Sequence, residues 1–86
     1  MPVKVKRLLL DALKPRELSI VELSKGVGSV DGVQEIDIIV SEVDSRTETI
    51  KVTIRGAQID YNAVSKAMEK YGVSIRGVDE INVTRV

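Results

Sequence analysis

A ferredoxin-like α+β sandwich, β-α-β-β-α-β in a single domain over residues 1–86, is the architecture this sequence predicts. Three observations carry it. Two segments have the apolar spacing of amphipathic helices, and the four around them are rich in β-branched residues or alternate apolar with polar ones. The phrase Gly32-Val33-Gln34-Glu35-Ile36-Asp37-Ile38 returns forty-five residues later as Gly77-Val78-Asp79-Glu80-Ile81-Asn82-Val83, so the chain reads as two similar halves, each closed by one copy. Finally, 86 residues with 43% hydrophobic and 30% charged side chains suffice for one core and no more.

The first strand is expected over residues 3–10, where Val and Leu are interleaved with lysines, and is expected to stop at Asp11 and Pro15. Ser19 and Glu22 then have the S-x-x-E spacing of a capping box, with the serine oxygen expected on the Glu22 N–H and Leu18 stapled to Leu23. The helix that follows should bury Ile20, Leu23 and Val27, with Val30 beyond. Gly26 and Gly28 each weaken it by up to ~1 kcal/mol relative to alanine, which predicts an early end or close packing on the sheet.

Ile36, Ile38 and Val40 alternate with Glu35, Asp37 and Ser41 in a half-buried second strand, and Ile50, Val52 and Ile54 mark the third. A two-residue turn between them would put Val40 opposite Lys51, out of phase. A three-residue loop pairing Asp44 with Glu48 restores the phase and sets Asp37 opposite Arg55. Asp60 is the expected N-cap of the second helix, Ile59 its staple to Val64, and Val64, Ala67, Met68 and Tyr71 its buried stripe, with Gly72 at C′. Residues 73–86 form the last strand, with a bulge at Gly77.

Two right-handed crossovers give a four-stranded antiparallel sheet of order 4-1-3-2 with both helices on one face. The repeated phrases are its edges, with Ile36, Ile38, Ile81 and Val83 inward and Glu35 and Glu80 outward. Carboxylates on an edge discourage further pairing. The leucines of the first strand point alternately to the two faces, so Leu8 and Leu10, or else Leu9, stand on the face without helices, joined there by Ile39 and Val43. Leu8, Leu10, Ile39 and Val43 are therefore the candidate oligomer-interface residues.

Composition narrows the chemistry. The chain contains no cysteine and no histidine, which removes disulfides, thiolate metal sites and the commonest general base. Thirteen basic groups balance thirteen acidic ones, which argues against nucleic-acid binding driven by net charge. Residues 1–16 nevertheless carry five basic groups against Asp11, and residues 17–48 carry eight acidic groups against Lys25 and Arg46. With no apolar run long enough for a membrane span or a signal peptide, a cytoplasmic location is expected.

The best anion-binding candidate is the loop before the first helix, where Lys14 and Arg16 adjoin the helix N-terminus at Ser19. A calcium or magnesium site would draw on Asp11, Asp37, Asp44, Asp79 or Glu80, since hard cations take oxygen ligands and need neither histidine nor cysteine. No EF-hand spacing accompanies these carboxylates. A soft-metal chaperone of this topology would want C-x-x-C where Asp11-Ala12-Leu13-Lys14 stands. An RNA-binding sheet would want aromatics on its central strands, and the chain has no Phe or Trp. No nucleophile is paired with a base, so no catalytic residue is assigned.

The spaced motifs L-D-x-L-K-P (residues 10–15), I-V-E (20–22), V-D-G-V (30–33), E-V-D-x-x-T (42–47), K-V-T-I-x-G (51–56) and D-Y (60–61), with V-D-E-I at 78–81, resemble a small archaeal family known as domain of unknown function 211. The resemblance runs along nearly the whole chain. It implies a ferredoxin-like fold, an archaeal cytoplasmic origin and a homo-oligomer, with a ring as one form, and it implies no reaction. The family's first helix is longer and more regular than Gly26 and Gly28 favour here. Two functions follow as expectations: a self-associating binding or regulatory module taking a small ligand, without catalysis, or a protein that binds a divalent cation through surface carboxylates.

Overall fold

The structure, a computed structural model, describes residues 2–86. Six elements follow in the expected order: β1 (Val3–Pro15), α1 (Ile20–Gly28), β2 (Val33–Val43), β3 (Thr47–Gly56), α2 (Tyr61–Lys70) and β4 (Ser74–Arg85). They form one sheet of order β2-β3-β1-β4 in which every neighbouring pair is antiparallel. The fold is the ferredoxin-like α+β sandwich, and the repeated phrases lie on its two edge strands.

Strand β1 does not stop at Leu10 but continues through Asp11, Ala12, Leu13 and Lys14 to Pro15. Its far half alternates as a strand should. Ala12 is in the core, Asp11 turns to the opposite face, and Pro15, which lacks an N–H, occupies the last position, where a missing ladder bond costs least. Asp11, where a stop is expected, faces away from the core and does not interrupt the alternation, which Lys14 on the core side obscures.

In α1 the Ser19 hydroxyl accepts from the Val21 N–H at 3.0 Å, one residue earlier than the capping box requires, and Asp60 caps α2 by accepting from Ala63 at 3.2 Å. The early end of α1 at Gly28 agrees with the glycine content. Gly26 packs on the other helix, however, and not on the sheet: a Cβ built there would run into the ring and hydroxyl of Tyr71. Gly72 stands at C′ with φ +77°.

The β2–β3 hairpin departs from the expected loop. Asp44 donates its N–H to the Thr47 carbonyl at 2.8 Å, closing a tight turn around Ser45 and Arg46. The phase error this turn creates is removed by a bulge at Ser41, beyond which Val40 faces Ile50 and Ile38 faces Val52. Asp37 consequently lies opposite Thr53, and Arg55 opposite Glu35. The bulge also reverses Val43, which pairs with Glu48 on the side of the helices and not on the open face.

Leu8, Leu10, Ala12, Leu23, Val27, Ile50, Val52, Ile54, Val64 and Met68 form the core between sheet and helices. Leu8 and Leu10 are therefore buried, 1% and 0% exposed, and cannot belong to an open-face interface; Leu9 takes that face, as the alternative parity required. Thirteen residues of β1 reach about 43 Å, whereas α2, with ten, covers about 15 Å, so the sheet extends past its helices. The overall dimensions, 46 × 22 × 17 Å, express this.

Candidate functional site

The face of the sheet away from the helices is a lattice of charges. Pairing along β1 and β3 aligns Arg7, Leu9, Asp11 and Leu13 with Arg55, Thr53, Lys51 and Thr49. Three cations in the middle hold carboxylates from both edges. Arg7 donates to Glu80 at 2.7 Å, and Lys51 donates to Asp79 at 2.8 Å and lies 3.5 Å from Asp11. Arg55 donates to Asp37 at 2.9 Å and lies 3.9 Å from Glu35. Ile39 is exposed on this face, its polar neighbours leaving it isolated from Leu9 and Leu13. The aliphatic open face expected from the leucine run is thus mainly ionic.

The five carboxylates proposed as metal ligands are divided among these partners. Asp11 and Asp79 share Lys51, Asp37 belongs to Arg55, Glu80 to Arg7, and Asp44 stands at the hairpin. Among the described residues no group of three carboxylates gathers as a cation would need. Sequence alternation placed Lys51 and Arg55 on a polar face but did not mark them as the hubs, because the register that brings them to the acidic edges depends on bulges.

The Lys51 ammonium is held above its ordinary pKa of 10.5, chiefly by the hydrogen bond to Asp79, which outweighs the desolvation that opposes it, with the fields of Asp11 and Asp79 adding to the rise. A raised lysine pKa stabilises the fold fully below the unfolded value and loses that contribution as pH rises through the folded value. The difference in thermal midpoint between wild type and Lys51→Gln is therefore expected to stay constant from neutral pH to about pH 10 and shrink above 10.5. A difference already gone at about pH 8 would contradict the assignment.

Of the anion-site candidates, Lys14 is spoken for. Its side chain is 2% exposed, and its ammonium donates to the carbonyls of Leu18 at 2.5 Å and Pro15 at 3.1 Å while meeting Glu48 at 2.5 Å. It thus ties the β1–α1 loop to β3, and the anion site loses its nearer cation. Arg16 is exposed, fixed through its backbone to the Arg46 carbonyl at 3.0 Å, and Ser19 serves as the helix cap.

Both edges present apolar side chains on the helix side. In β4, Val78, Ile81 and Val83 pair with Leu10, Leu8 and Val5, which all pack into or against the core. Their spacing in sequence is three and then two. A bulge at Asp79 carries Ile81 to the same face as Val78, as one at Arg76 does for Val78 after Ile75. The stripe is nevertheless 45%, 56% and 48% exposed, so Ile81 and Val83 point inward as expected without being covered. On β2, Ile36 and Ile38 pack against the core, and a groove of 220 Å³ opens between that strand and α1, walled by Ile20, Val21, Ser24, Ile36, Asp37 and Ile38.

A family model of domain of unknown function 211, described as "Uncharacterized ArCR", matches residues 6–85. The uncharacterized protein MJ0319 of Methanocaldococcus jannaschii is 34% identical over 77 residues, a span covering 90% of this chain and 79% of that one. Matched along nearly its whole length and sharing the expected fold, the chain belongs to the archaeal family of domain of unknown function 211, which has no assigned activity.

Proposed function

We propose that the protein is a self-associating binding module without catalytic activity, assembling through its β4 edge. The carrying observation is the exposed stripe Val78, Ile81 and Val83 on an edge strand. Edge backbone groups can be paired by a second chain, and uncovered aliphatics beside them supply the burial that stabilises such pairing.

The β4 sequence is also complementary to itself. Antiparallel pairing of two copies about Asn82 sets each Ile81 against the partner's Val83 on the helix side, and Glu80 against Thr84 on the open side. Like charges do not meet in this register. The cytoplasm suits such a module, since the chain has no cysteine to exploit an oxidising compartment.

Light scattering tests the assembly. Wild type is expected at a multiple of 9.4 kDa, and Ile81→Lys and Val83→Lys at the monomer mass with circular dichroism unchanged. Both substitutions fall on exposed sites, so the fold survives them. A monomeric wild type, or lysine variants that assemble as wild type does, would overturn the proposal.

A further inference from the structure

The two edges of the sheet are not equivalent, and β2 has the features of a receptor for an extended chain. We propose that the β2 edge and its groove with α1 bind an extended polypeptide segment in which apolar residues alternate with lysine or arginine, by adding it to the sheet as a fifth strand. This goes beyond self-association through β4 and uses the opposite edge.

Three observations converge on that occupant. First, β2 ends the sheet and is eleven residues long, so it offers a long row of edge backbone groups beside a helix. Strand addition draws its affinity from such main-chain bonds and its selectivity from alternate side chains. Second, the groove between α1 and β2 lies on the helix side, where an added strand about 4.8 Å from β2 would place every second side chain. Val21, 59% exposed on the outer wall, is an apolar side chain with nothing over it. Third, β2 carries Glu35, Asp37 and Glu42 and no lysine or arginine.

The charge of β2 selects the partner's other face. Arg55 is shared by Glu35 and Asp37, so one cation answers two carboxylates. Glu42 is paired across the ladder with neutral Thr49. Side chains of an added strand on the open face would stand about 5 Å from these acids, a distance at which lysine or arginine is favoured and glutamate opposed. A second copy offering its β4 is a poorer occupant. It fits the apolar side with Ile81 and Val83 but brings Glu80 to the open side already occupied by Glu35 and Asp37.

Fluorescence anisotropy of labelled peptides tests this with the intact protein. Three probes, each eleven residues long to match β2, are compared: Val alternating with Lys, Val alternating with Glu, and the Val/Lys composition in two blocks. The alternating Val/Lys peptide is expected to bind at least about tenfold more tightly than the other two, a ratio that two or three exposed charge pairs supply. Val21→Arg, which fills the groove with a like charge at an exposed helix position, should weaken it about tenfold. Ile81→Lys should leave it unchanged, so failure of self-association and failure of this proposal are distinguishable. Amide shifts on titration should centre on residues 35–42. No binding, equal binding of the block peptide, or shifts centred on β4 would overturn the proposal.

Discussion

Glu48→Ala is expected to lower the unfolding free energy by about 3 kcal/mol, far more than an ordinary surface substitution. The reason is what it leaves behind. Lys14 is 2% exposed and Glu48 18%, so removing the carboxylate strands an ammonium in a place that water barely reaches. The carbonyls of Pro15 and Leu18 still accept from it, but neither carries a compensating charge. Lys14→Met should cost less, about 1–2 kcal/mol, because the carboxylate left over can turn toward solvent and methionine fills most of the same volume. The double variant Lys14→Met/Glu48→Leu should recover most of the loss, since a buried ion pair is often no better than an apolar pair of similar size. Urea denaturation of these proteins, with Glu48→Leu alone to close the cycle, decides it. Strictly additive losses, or a Glu48→Ala variant as stable as wild type, would show that the pair is not coupled and that water reaches Lys14.

That pair also explains where the sequence is misleading. Asp11 and Pro15 suggest a stop and a lysine on the core side breaks the apolar alternation between them, so β1 looks five residues shorter than it is, and the same lysine looks free to hold an anion. Both errors come from one fact that lies outside the local pattern: Glu48 is brought opposite Lys14 by the β1–β3 register. Where apolar positions are unambiguous, as in Val64 and Met68 or in Ile50, Val52 and Ile54, period alone locates the element and its buried side.

Bulges set the other limit of what could be read. The rule that residues two apart share a face is broken at Gln34 and Ser41 in β2, at Arg76 and Asp79 in β4, and once in β1 at Lys6. A two-residue hairpin is out of phase on its own, yet the chain uses it and repairs the phase with an extra residue. In β4 the clue was visible as apolar residues at 75, 78 and 81, a spacing of three that neither strand nor helix explains but that one bulge per interval does. The repeated phrase shows the consequence. Each copy carries an irregularity at its third residue, Gln34 and Asp79, yet Ile36 and Ile38 pack on the core beside α1, whereas Ile81 and Val83 lie at an edge the helices do not cover. Likeness of sequence between the halves fixes topology, and the difference between their edges separates the surface offered to a second copy from the one offered to a basic segment.

The strongest single test of the face assignment is a pair of neighbours. Leu10→Ala should cost about 3 kcal/mol, since Leu10 is fully buried among core side chains and its truncation leaves a cavity that a sheet residue cannot collapse. Leu9→Ala should cost about 1 kcal/mol or less, because Leu9 stands between Thr53 and Glu80 on the ionic face, where its loss opens no enclosed space. The two differ by one position and by no chemistry, so the ratio of their effects reads the parity of β1 directly. Exchanging the faces by a one-residue slip would invert it. Chemical denaturation of the two variants, with the slope against denaturant compared to confirm an unchanged unfolded reference, gives the answer. Equal losses would mean that Leu9 is as covered as Leu10, in which case the charged face is itself buried against another chain and Arg7, Lys51 and Arg55 hold their carboxylates out of water.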